Sequence, residues 1–265
     1  CGLIGENAIK YINGRVWWMG QAGGFFVYDG TVKSLPCLVE DFVFTDKGDN
    51  LGINYNSGEQ VTAGLNHLYE EVVWFYPKAG STEPDRIVTY NYVENTWTTG
   101  TLARTSWHDS TLYNNPYATE FNNSSLPTFP TIQGVTNTSG ASTYYAHEVG
   151  NNEVDSQGNK TIIPAFIQSG DFSLSEGEVF ISMRRFVPDF KLLQGNAQVT
   201  INLRNYPNNS TSSSPLGPFT VTSSTDKVDT RARGRAANLK IANTATDESW
   251  RYGTFKADIQ EDGRR

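Results

Sequence analysis

Short apolar runs separated by Gly, Asn, Asp and Pro recur along the whole chain. The first example is VWWMGQAGGFFVYDG, residues 16–30, in which two apolar runs flank a glycine loop and the second run ends in an Asp-Gly turn. Runs of this length between turn residues predict β-strands that pair as hairpins, and TVKSLP follows directly as a third strand. Helical periodicity is scarce, and its best instance is the short stretch Asn66–Glu71. The pattern therefore predicts an all-β chain.

The same order of elements returns in residues 70–100, EEVVWFYPKAGSTEPDRIVTYNYVENTWTTG. In both places an aromatic strand leads through a glycine-containing loop into a strand that ends in a tyrosine and a turn residue. These pairs are Tyr28–Asp29 and Tyr90–Asn91. A fainter third copy begins at STYYAHEVG and continues into TIIPAFIQSGDF. Repeated antiparallel units of this size are typical of propeller blades.

Alternation along these strands predicts which aromatic rings are mostly buried between neighbouring sheets. They are Trp18, Phe26, Tyr28, Trp74, Phe75, Tyr90 and Trp97. The alternative is an aromatic pocket that grips a ligand, in which the rings would be open to solvent. Because the aromatic strands recur, the pattern favours the core interpretation.

The sequence texture divides the chain into two regions. Residues 1–176 are predicted to form propeller-like blades, which make up either part of a propeller or a complete one. A long loop insertion is predicted near residues 113–140, where Pro, Asn and Ser are frequent. From about Met183 the chain changes character, and residues 177–265 are predicted to form a β-sandwich-like C-terminal unit. The fold expected is all-β throughout.

Two stretches define the C-terminal unit. The run QVTINLRNYP alternates between apolar and polar residues, as a strand with one buried face does. The ending DESWRYGTFKADIQEDGRR predicts a paired strand centred on Phe255, Ala257 and Ile259, with residues 262–265 at the surface.

Charge and composition exclude several classes of function. The 265 residues carry a formal net charge of −7, which argues against a strong grip on nucleic acid. Residues Cys1 and Cys37 form no C-x-x-C pair, and the histidines are far apart: His67, His108 and His147. No nucleophile elbow, phosphate loop or metalloprotease motif occurs, and the acid pairs lie in polar loops: Glu83/Asp85 and Glu153/Asp155. The sequence therefore predicts no metal, no cofactor, no catalytic residue and no membrane segment.

One charge pattern stands out. In TRARGRA, the residues Arg231, Arg233 and Arg235 would share one face of an extended strand. Such a stripe is either a solvated edge that discourages strand pairing or a subunit interface that docks on an acidic surface of a neighbour. Both interpretations remain open from the sequence.

Several segments carry a resemblance to a known family. These are GLIGENA, VWWMGQAGGFFVYDGTVKSLPC, VVWFYP, LARTSW, and the ending NYPN, GPFTVT, RARGR and DESWRYGTFKADIQEDGRR, in that order. The chain resembles the tail proteins that form the nozzle, or packaged-DNA stabilisation ring, of short-tailed phages. The ending is the most specific of these segments. Because nozzle proteins are usually longer, the resemblance also implies further blades before Cys1.

The resemblance implies a non-enzymatic structural role in the virion. Such a subunit forms a ring with copies of itself, often sixfold, and continues the DNA channel of the tail below the portal and adaptor. It therefore implies three kinds of partner: other copies of the chain, other tail proteins such as the adaptor and fibres, and duplex DNA that passes non-specifically. No catalytic or cofactor-binding residue is implied.

Two other interpretations remain to be distinguished. A kelch-like propeller on a phage or cell surface would bind or cleave carbohydrate, and it would need exposed aromatic rings beside convergent acids. Burial of Trp18, Trp74 and Trp97 would favour the structural role instead. A secreted lipoprotein would need a lipid on Cys1.

Overall fold

The computed structural model describes residues 1–48, 51–110, 112, 114–122, 141–148, 152–155, 157–206 and 215–263. Within these residues the chain is almost entirely β, which confirms the predicted all-β class. The strands are β1 (Ile9–Ile12), β2 (Arg15–Met19), β3 (Phe25–Tyr28), β4 (Val32–Leu35), β5 (Thr62–Asn66), β6 (Glu71–Tyr76), β7 (Arg86–Asn91), β8 (Thr96–Gly100), β9 (Ser106–His108), β10 (Tyr117–Asn122), β11 (Ala141–Glu148), β12 (Asn152–Asp155), β13 (Lys160–Ile162), β14 (Phe166–Gln168), β15 (Ile181–Val187), β16 (Phe190–Gln194), β17 (Ala197–Arg204), β18 (Leu216–Val221), β19 (Val228–Gly234), β20 (Ala236–Ala242), β21 (Ser249–Tyr252) and β22 (Lys256–Glu261).

Helical structure is confined to short pieces. They are α1 (Glu40–Phe44) and the 3-10 helices Tyr55–Gln60 and Ser175–Gly177. Among the described residues, no helix is long and apolar enough to cross a membrane. The helix predicted at Asn66–Glu71 is wrong: Asn66 pairs with Glu71 at the end of a β-hairpin. Glu70 has a φ of 58°, a left-handed conformation that suits a turn and not a helix.

The chain forms two compact units. The first comprises residues 1–148 and 154–159, and the second comprises residues 149–153 and 160–265. The sequence-based boundary at residue 176 lies later, because TIIPAFIQSGDF looks like the end of a third repeat. In the structure β14 pairs with β20, and Phe172 bridges to Ala237, so this segment already belongs to the C-terminal unit.

Two four-stranded antiparallel meanders open the first unit: sheet 1, with the order β1-β2-β3-β4, and sheet 2, with the order β5-β6-β7-β8. They share one hydrophobic core, to which sheet 1 contributes Trp17 and Phe25 and sheet 2 contributes Trp74 and Tyr90. The rings of Phe25 and Trp74 lie with their centroids 4.9 Å apart. The aromatic strands therefore form blade-like sheets that pack face to face, as the repeat predicts.

The predicted set of buried aromatic rings holds for sheet 2 better than for sheet 1. Trp74, Phe75 and Tyr90 are buried, and Trp97 is half-buried against the same core. In sheet 1, Trp17 and Phe25 face the core, so their neighbours Trp18, Phe26 and Tyr28 point the other way. Trp18 is still buried, but Phe26 is only partly buried and Tyr28 is 45% exposed, so the prediction for Tyr28 is wrong. A shift of one residue exchanges the two faces of a strand, and FFVYDG has apolar residues on both.

The strands β9, β10 and β11 lie in the first unit, and β10 pairs with both of the others; we call this group sheet 3. The strand β10 falls inside the segment 113–140 that the sequence assigns to a surface loop, so that assignment is wrong for Tyr117–Asn122. Ala118 is buried, and it pairs with Trp107 on β9 and with Tyr145 on β11. The segment therefore forms a strand between two neighbours in spite of its polar composition. Residues 123–140 of the predicted loop lie outside the described residues.

The second unit contains two packed sheets, with the strand orders β14-β20-β17-β18 and β19-β15-β22, together with the pair β16-β21. The inward residues of β17 and β20 share a core with those of β15 and β19. The alternation predicted for QVTINLR is confirmed, because β17 buries every second residue. The predicted C-terminal strand is confirmed as β22, in which Ala257 pairs with Phe186 and Ile259 with Met183. Phe255, which was predicted to belong to it, lies one residue before the strand begins, and the last two residues of the predicted surface segment 262–265 lie outside the described residues. The unit is thus a β-sandwich.

Candidate interaction surfaces

The arginine stripe lies on the edge strand β19 and just after it. Along β19 every second residue is buried, so Arg231 and Arg233 both point to solvent, as the sequence predicts. Arg235 lies one residue past the end of the strand, between β19 and β20, and is partly buried. Among the described residues, Arg231 has no hydrogen bond or ion pair, whereas the other two arginines bind groups of their own unit.

Arg233 and Arg235 enclose one aromatic ring. Their guanidinium carbons lie 4.1 Å and 4.7 Å from the centroid of the Phe180 ring. Arg233 Nε donates to Asp262 Oδ2 at 2.5 Å, and Arg235 donates to the carbonyl of Glu178 at 2.8 Å. These contacts fasten the C-terminal end of β22 and the start of β15 to β19. Two of the three arginines therefore stabilise their own sandwich, and Arg231 is exposed on the edge strand.

His67 and His147 both make contacts that stabilise the structure around them. The Nδ1–H group of His67 donates to Asp109 Oδ2 at 2.8 Å. His147 is buried, and its Nε2 accepts a hydrogen bond from Arg104 at 3.1 Å. Burial and the Arg104 charge lower the pKa of His147 to about 3, so the ring is neutral. In the described part of the chain, no cluster of His, Cys, Asp and Glu has the arrangement of a metal site.

Each of the acid pairs that the sequence places in polar loops contains an aspartate that stabilises a turn. Asp85 accepts from the backbone N–H of Lys78 at 2.9 Å. Asp155 accepts from the side chain and backbone N–H of Asn159 and from the N–H of Gln157, and these bonds lower the pKa of Asp155. A general acid needs the opposite shift. Asp155 therefore has the environment of a turn residue.

A cavity of about 330 Å³ opens in the first unit beside the 3-10 helix Tyr55–Gln60. Its lining residues are Ile4, Gln21, Tyr55, Asn56, Gly58 and Glu59. Tyr55 donates to the carbonyl of Phe44 at 3.3 Å, and its pKa is raised by burial and by the charge of Glu40. An aromatic ring beside amides suits a sugar. Among the described lining residues, however, Glu59 is the one carboxylate, and glycoside cleavage uses two.

Sequence reasoning misses a second surface, the side of sheet 1 that points away from the core. The residues on this outer face are Ile9, Tyr11, Val16, Trp18, Phe26, Tyr28, Val32 and Ser34. Tyr11 pairs with Val16, Val16 with Tyr28 and Tyr28 with Val32, so these four residues form a row across all four strands. None of the eight is charged. The signal in the sequence is that FFVY and VWWM are apolar at adjacent positions, which a strand with one wet face does not require.

Comparison with protein-family models gives no match, and comparison with curated proteins gives none. Among solved structures, the chain has a weak likeness to an exo-β-1,3-galactanase from Phanerochaete chrysosporium, with galactose. The likeness covers 92% of this chain and 77% of that one, with 10% identity and a TM-score of 0.23. A score at this level carries no argument about function. The class of protein that the structure defines is an all-β chain with blade-like sheets followed by a β-sandwich.

Proposed function

We propose that this chain is a non-enzymatic structural subunit of a phage tail, in a nozzle or tail-tube-like ring that continues the DNA channel. The proposal rests on the resemblance of its sequence segments to nozzle proteins. The observation in the structure that supports it best is that the aromatic rings of the repeated strands pack in the core. Trp74 is fully buried, its Nε1 donates to the carbonyl of Ala8 at 3.1 Å, and its ring stacks on Trp97. Rings used in this way build a rigid scaffold.

Trp18 supports the same interpretation. It is buried, its Nε1 donates to the carbonyl of Cys1 at 3.1 Å, and its ring stacks on Phe26 at 5.6 Å. A carbohydrate-binding propeller would present such rings to the sugar. If the chain instead bound carbohydrate, the cavity beside Tyr55 would be the place. Glycan binding that is lost in Tyr55→Ala and kept in Tyr206→Ala, an exposed tyrosine of the other unit, would favour that alternative.

The first test is where the chain is found. Purified particles are analysed by mass spectrometry and by electron microscopy after immunogold labelling of this chain. We expect gold at the tail and one copy number per particle that matches a closed ring. A chain absent from purified particles would contradict the proposal.

The second test concerns DNA, which must pass through such a ring without sticking. The net charge of −7 per chain repels phosphate, and bound phosphates would add salt-dependent affinity that retards ejection. We therefore expect no tight duplex binding at moderate salt. Because Arg231 has no ion pair in the described residues, Arg231→Ser tests the stripe without disturbing the fold, and Arg233→Ser is the structural control. Tight binding that Arg231→Ser abolishes would place the stripe in the channel and overturn this charge argument.

A further inference from the structure

We propose that a polar cavity in the C-terminal unit binds one neutral sugar ring, either a free monosaccharide or the terminal sugar of a glycan. The cavity measures about 200 Å³ and lies where β17 ends, beside the turn between β19 and β20. The side chains on which the argument depends are Asp171, Ser173, Arg204, Asn205, Tyr206 and Arg235. The inference goes beyond the structural role proposed above and does not depend on it.

The walls of the cavity are tied together through their backbones. Phe172 and Ala237 exchange two N–H···O=C bonds, of 2.8 Å and 3.0 Å. The N–H of Arg235 donates to the carbonyl of Arg204 at 2.9 Å. The segments that carry the lining side chains are therefore ordered before a ligand arrives, and binding does not carry the cost of ordering them.

Two buried polar atoms of lining residues have no hydrogen-bond partner among the described residues. They are Arg204 Nε, which is a donor, and Asn205 Oδ1, which is an acceptor. A buried donor or acceptor without a partner is destabilising, so folded proteins keep few of them. A hydroxyl group both donates and accepts, so the hydroxyls of one ligand can satisfy both atoms. The pair therefore favours a ligand that carries several hydroxyls.

The charged groups of the cavity have protein partners, which favours a neutral ligand over an anion. Arg204 Nη1 lies 3.2 Å from Asp171 Oδ2. Arg235 Nη1 donates to the carbonyls of Gly177 and Glu178, at 3.2 Å and 2.8 Å. A phosphate or carboxylate in the cavity would meet the carboxylate of Asp171, and like charges repel. A hydroxyl can bond to the same groups without changing their charge balance.

Tyr206 supplies the apolar part of the site. Its side chain lines the cavity and is 64% exposed. An aromatic ring can pack on the C–H groups of a sugar while the sugar hydroxyls remain free for hydrogen bonds. Water alone would satisfy the two polar atoms, whereas the adjacent ring selects a ligand that also has an apolar face. Among the described residues that line the cavity beside Tyr55, none has a buried polar atom without a partner.

The size and the acids of the cavity limit what it can do. Pockets for drug-sized ligands measure about 300–1,000 Å³, so this smaller cavity has room for a single ring. Asp171 is the one carboxylate among the described lining residues, and cleavage of a glycosidic bond uses two. We therefore expect binding without hydrolysis. Because bonds to the sugar replace bonds to water, the dissociation constant should be on the order of 1 mM.

Saturation-transfer-difference NMR of the whole chain tests the inference. The probes are glucose, galactose and mannose, each as the free sugar and as its methyl glycoside. We expect transfer to at least one of these sugars and none to tetrahydropyran-2-methanol, which has the ring without the ring hydroxyls. Asn205→Ala and Tyr206→Ala should each weaken binding about tenfold or more. The matched control is Tyr55→Ala, which removes a tyrosine from the cavity of the first unit and should bind as the wild type does.

A third variant separates loss of the site from loss of the fold. Arg204→Lys keeps the positive charge beside Asp171 and removes the Nε–H donor, so it should weaken binding. Its urea denaturation midpoint should match that of the wild type, and so should that of Tyr206→Ala, because Tyr206 is largely exposed. Wild-type binding in all three site variants would contradict the assignment.

The probes also separate the two sources of the sugar and the competing ligand. Equal transfer to a free sugar and its methyl glycoside would support the terminal sugar of a glycan, because the position of attachment is then open. Transfer to the free sugar alone would support a monosaccharide. No transfer to any of the six probes would overturn the inference. Displacement of a bound sugar by millimolar inorganic phosphate would also overturn it, since the cavity would then be an anion site.

Discussion

Sheets 1 and 2 are both four-stranded meanders rich in aromatic residues, and they differ in what covers them. Sheet 2 lies between sheets 1 and 3, and it buries Trp74 and Tyr90 on one face and Phe75 on the other. Sheet 1 buries the rings of Trp17 and Phe25 and leaves Tyr28 to solvent on its other face. Both sheets have apolar residues on both faces. The sequence therefore does not show which faces are covered, and the burial of each face in the structure does.

The tyrosines of the repeat make the difference concrete. Tyr28 and Tyr90 occupy equivalent positions in the two copies, each before a turn residue. Tyr90 is buried, packs 4.6 Å from Trp97 and donates to Asn95 at 2.7 Å. Tyr28 has the same local sequence role and is on the outer face.

The largest effect is expected for Trp74→Ala, at the contact between sheets 1 and 2. It removes a fully buried ring and the hydrogen bond to Ala8, so unfolding should become easier by about 3–5 kcal/mol. That is a large part of the total stability of a domain, and soluble assembly should be lost. Urea denaturation measures the change. Trp18→Ala is the matched control. Trp18 lies on the outer face of sheet 1, against Phe26 and beneath residues 1–4, and is not part of the core that the two sheets share, so its cost should be smaller.

Gly64→Ala should disturb the packing contact between sheets 2 and 3. The new methyl group would lie 2.4 Å from the Trp107 ring and 2.9 Å from Val73, so the ring has to move. Overpacking of this kind costs about 1–3 kcal/mol. Gly170→Ala is the control, since nothing lies within 4 Å of its added methyl group. Equal melting temperatures for the two variants would show that sheet 3 does not pack on β5 as described.

Some of these features can be predicted from the sequence, and others cannot. Alternation and repetition predict blade-like sheets, the buried Trp74 and the C-terminal strand, since each depends on local pattern. The sequence does not predict which face of sheet 1 meets the core, because both faces are apolar and only the packing partner decides. It also cannot show that Arg233 and Arg235 close on Phe180, because that contact joins residues about fifty positions apart.

Acidification should lower the stability of the folded protein through His147, which lies on β11 of sheet 3. Its pKa in the folded protein is about 3, against an ordinary value of 6.5, so below pH 6.5 the unfolded chain binds a proton that the folded chain does not. Stability from this group is therefore complete above pH 6.5 and is lost as the pH falls toward 3. One proton is worth about 1.4 kcal/mol per pH unit, so the loss at pH 5 is about 2 kcal/mol at most.

Glu71 in sheet 2 titrates with the opposite sign. Burial raises its pKa to about 7, so the folded chain binds a proton first and gains stability as the pH falls from 7 toward 4.5. The two groups offset one another in the wild type between pH 6.5 and 4.5. His147→Gln should therefore become more stable between pH 7 and pH 5, and Glu71→Gln less stable, as measured by urea denaturation at both values. A parallel response of the two variants would contradict the assignment.

The smallest effect is expected for Tyr28→Ser, on the open side of sheet 1. The side chain is 45% exposed and makes no hydrogen bond or ring contact among the described residues, so the free energy of unfolding should change by about 0.5 kcal/mol or less. Its counterpart Tyr90→Ser loses a buried ring and the bond to Asn95, and should cost several times more. The comparison is made by urea denaturation. Equal losses in the two variants would mean that Tyr28 is covered within a single chain, and the distinction between the two sheets would fail.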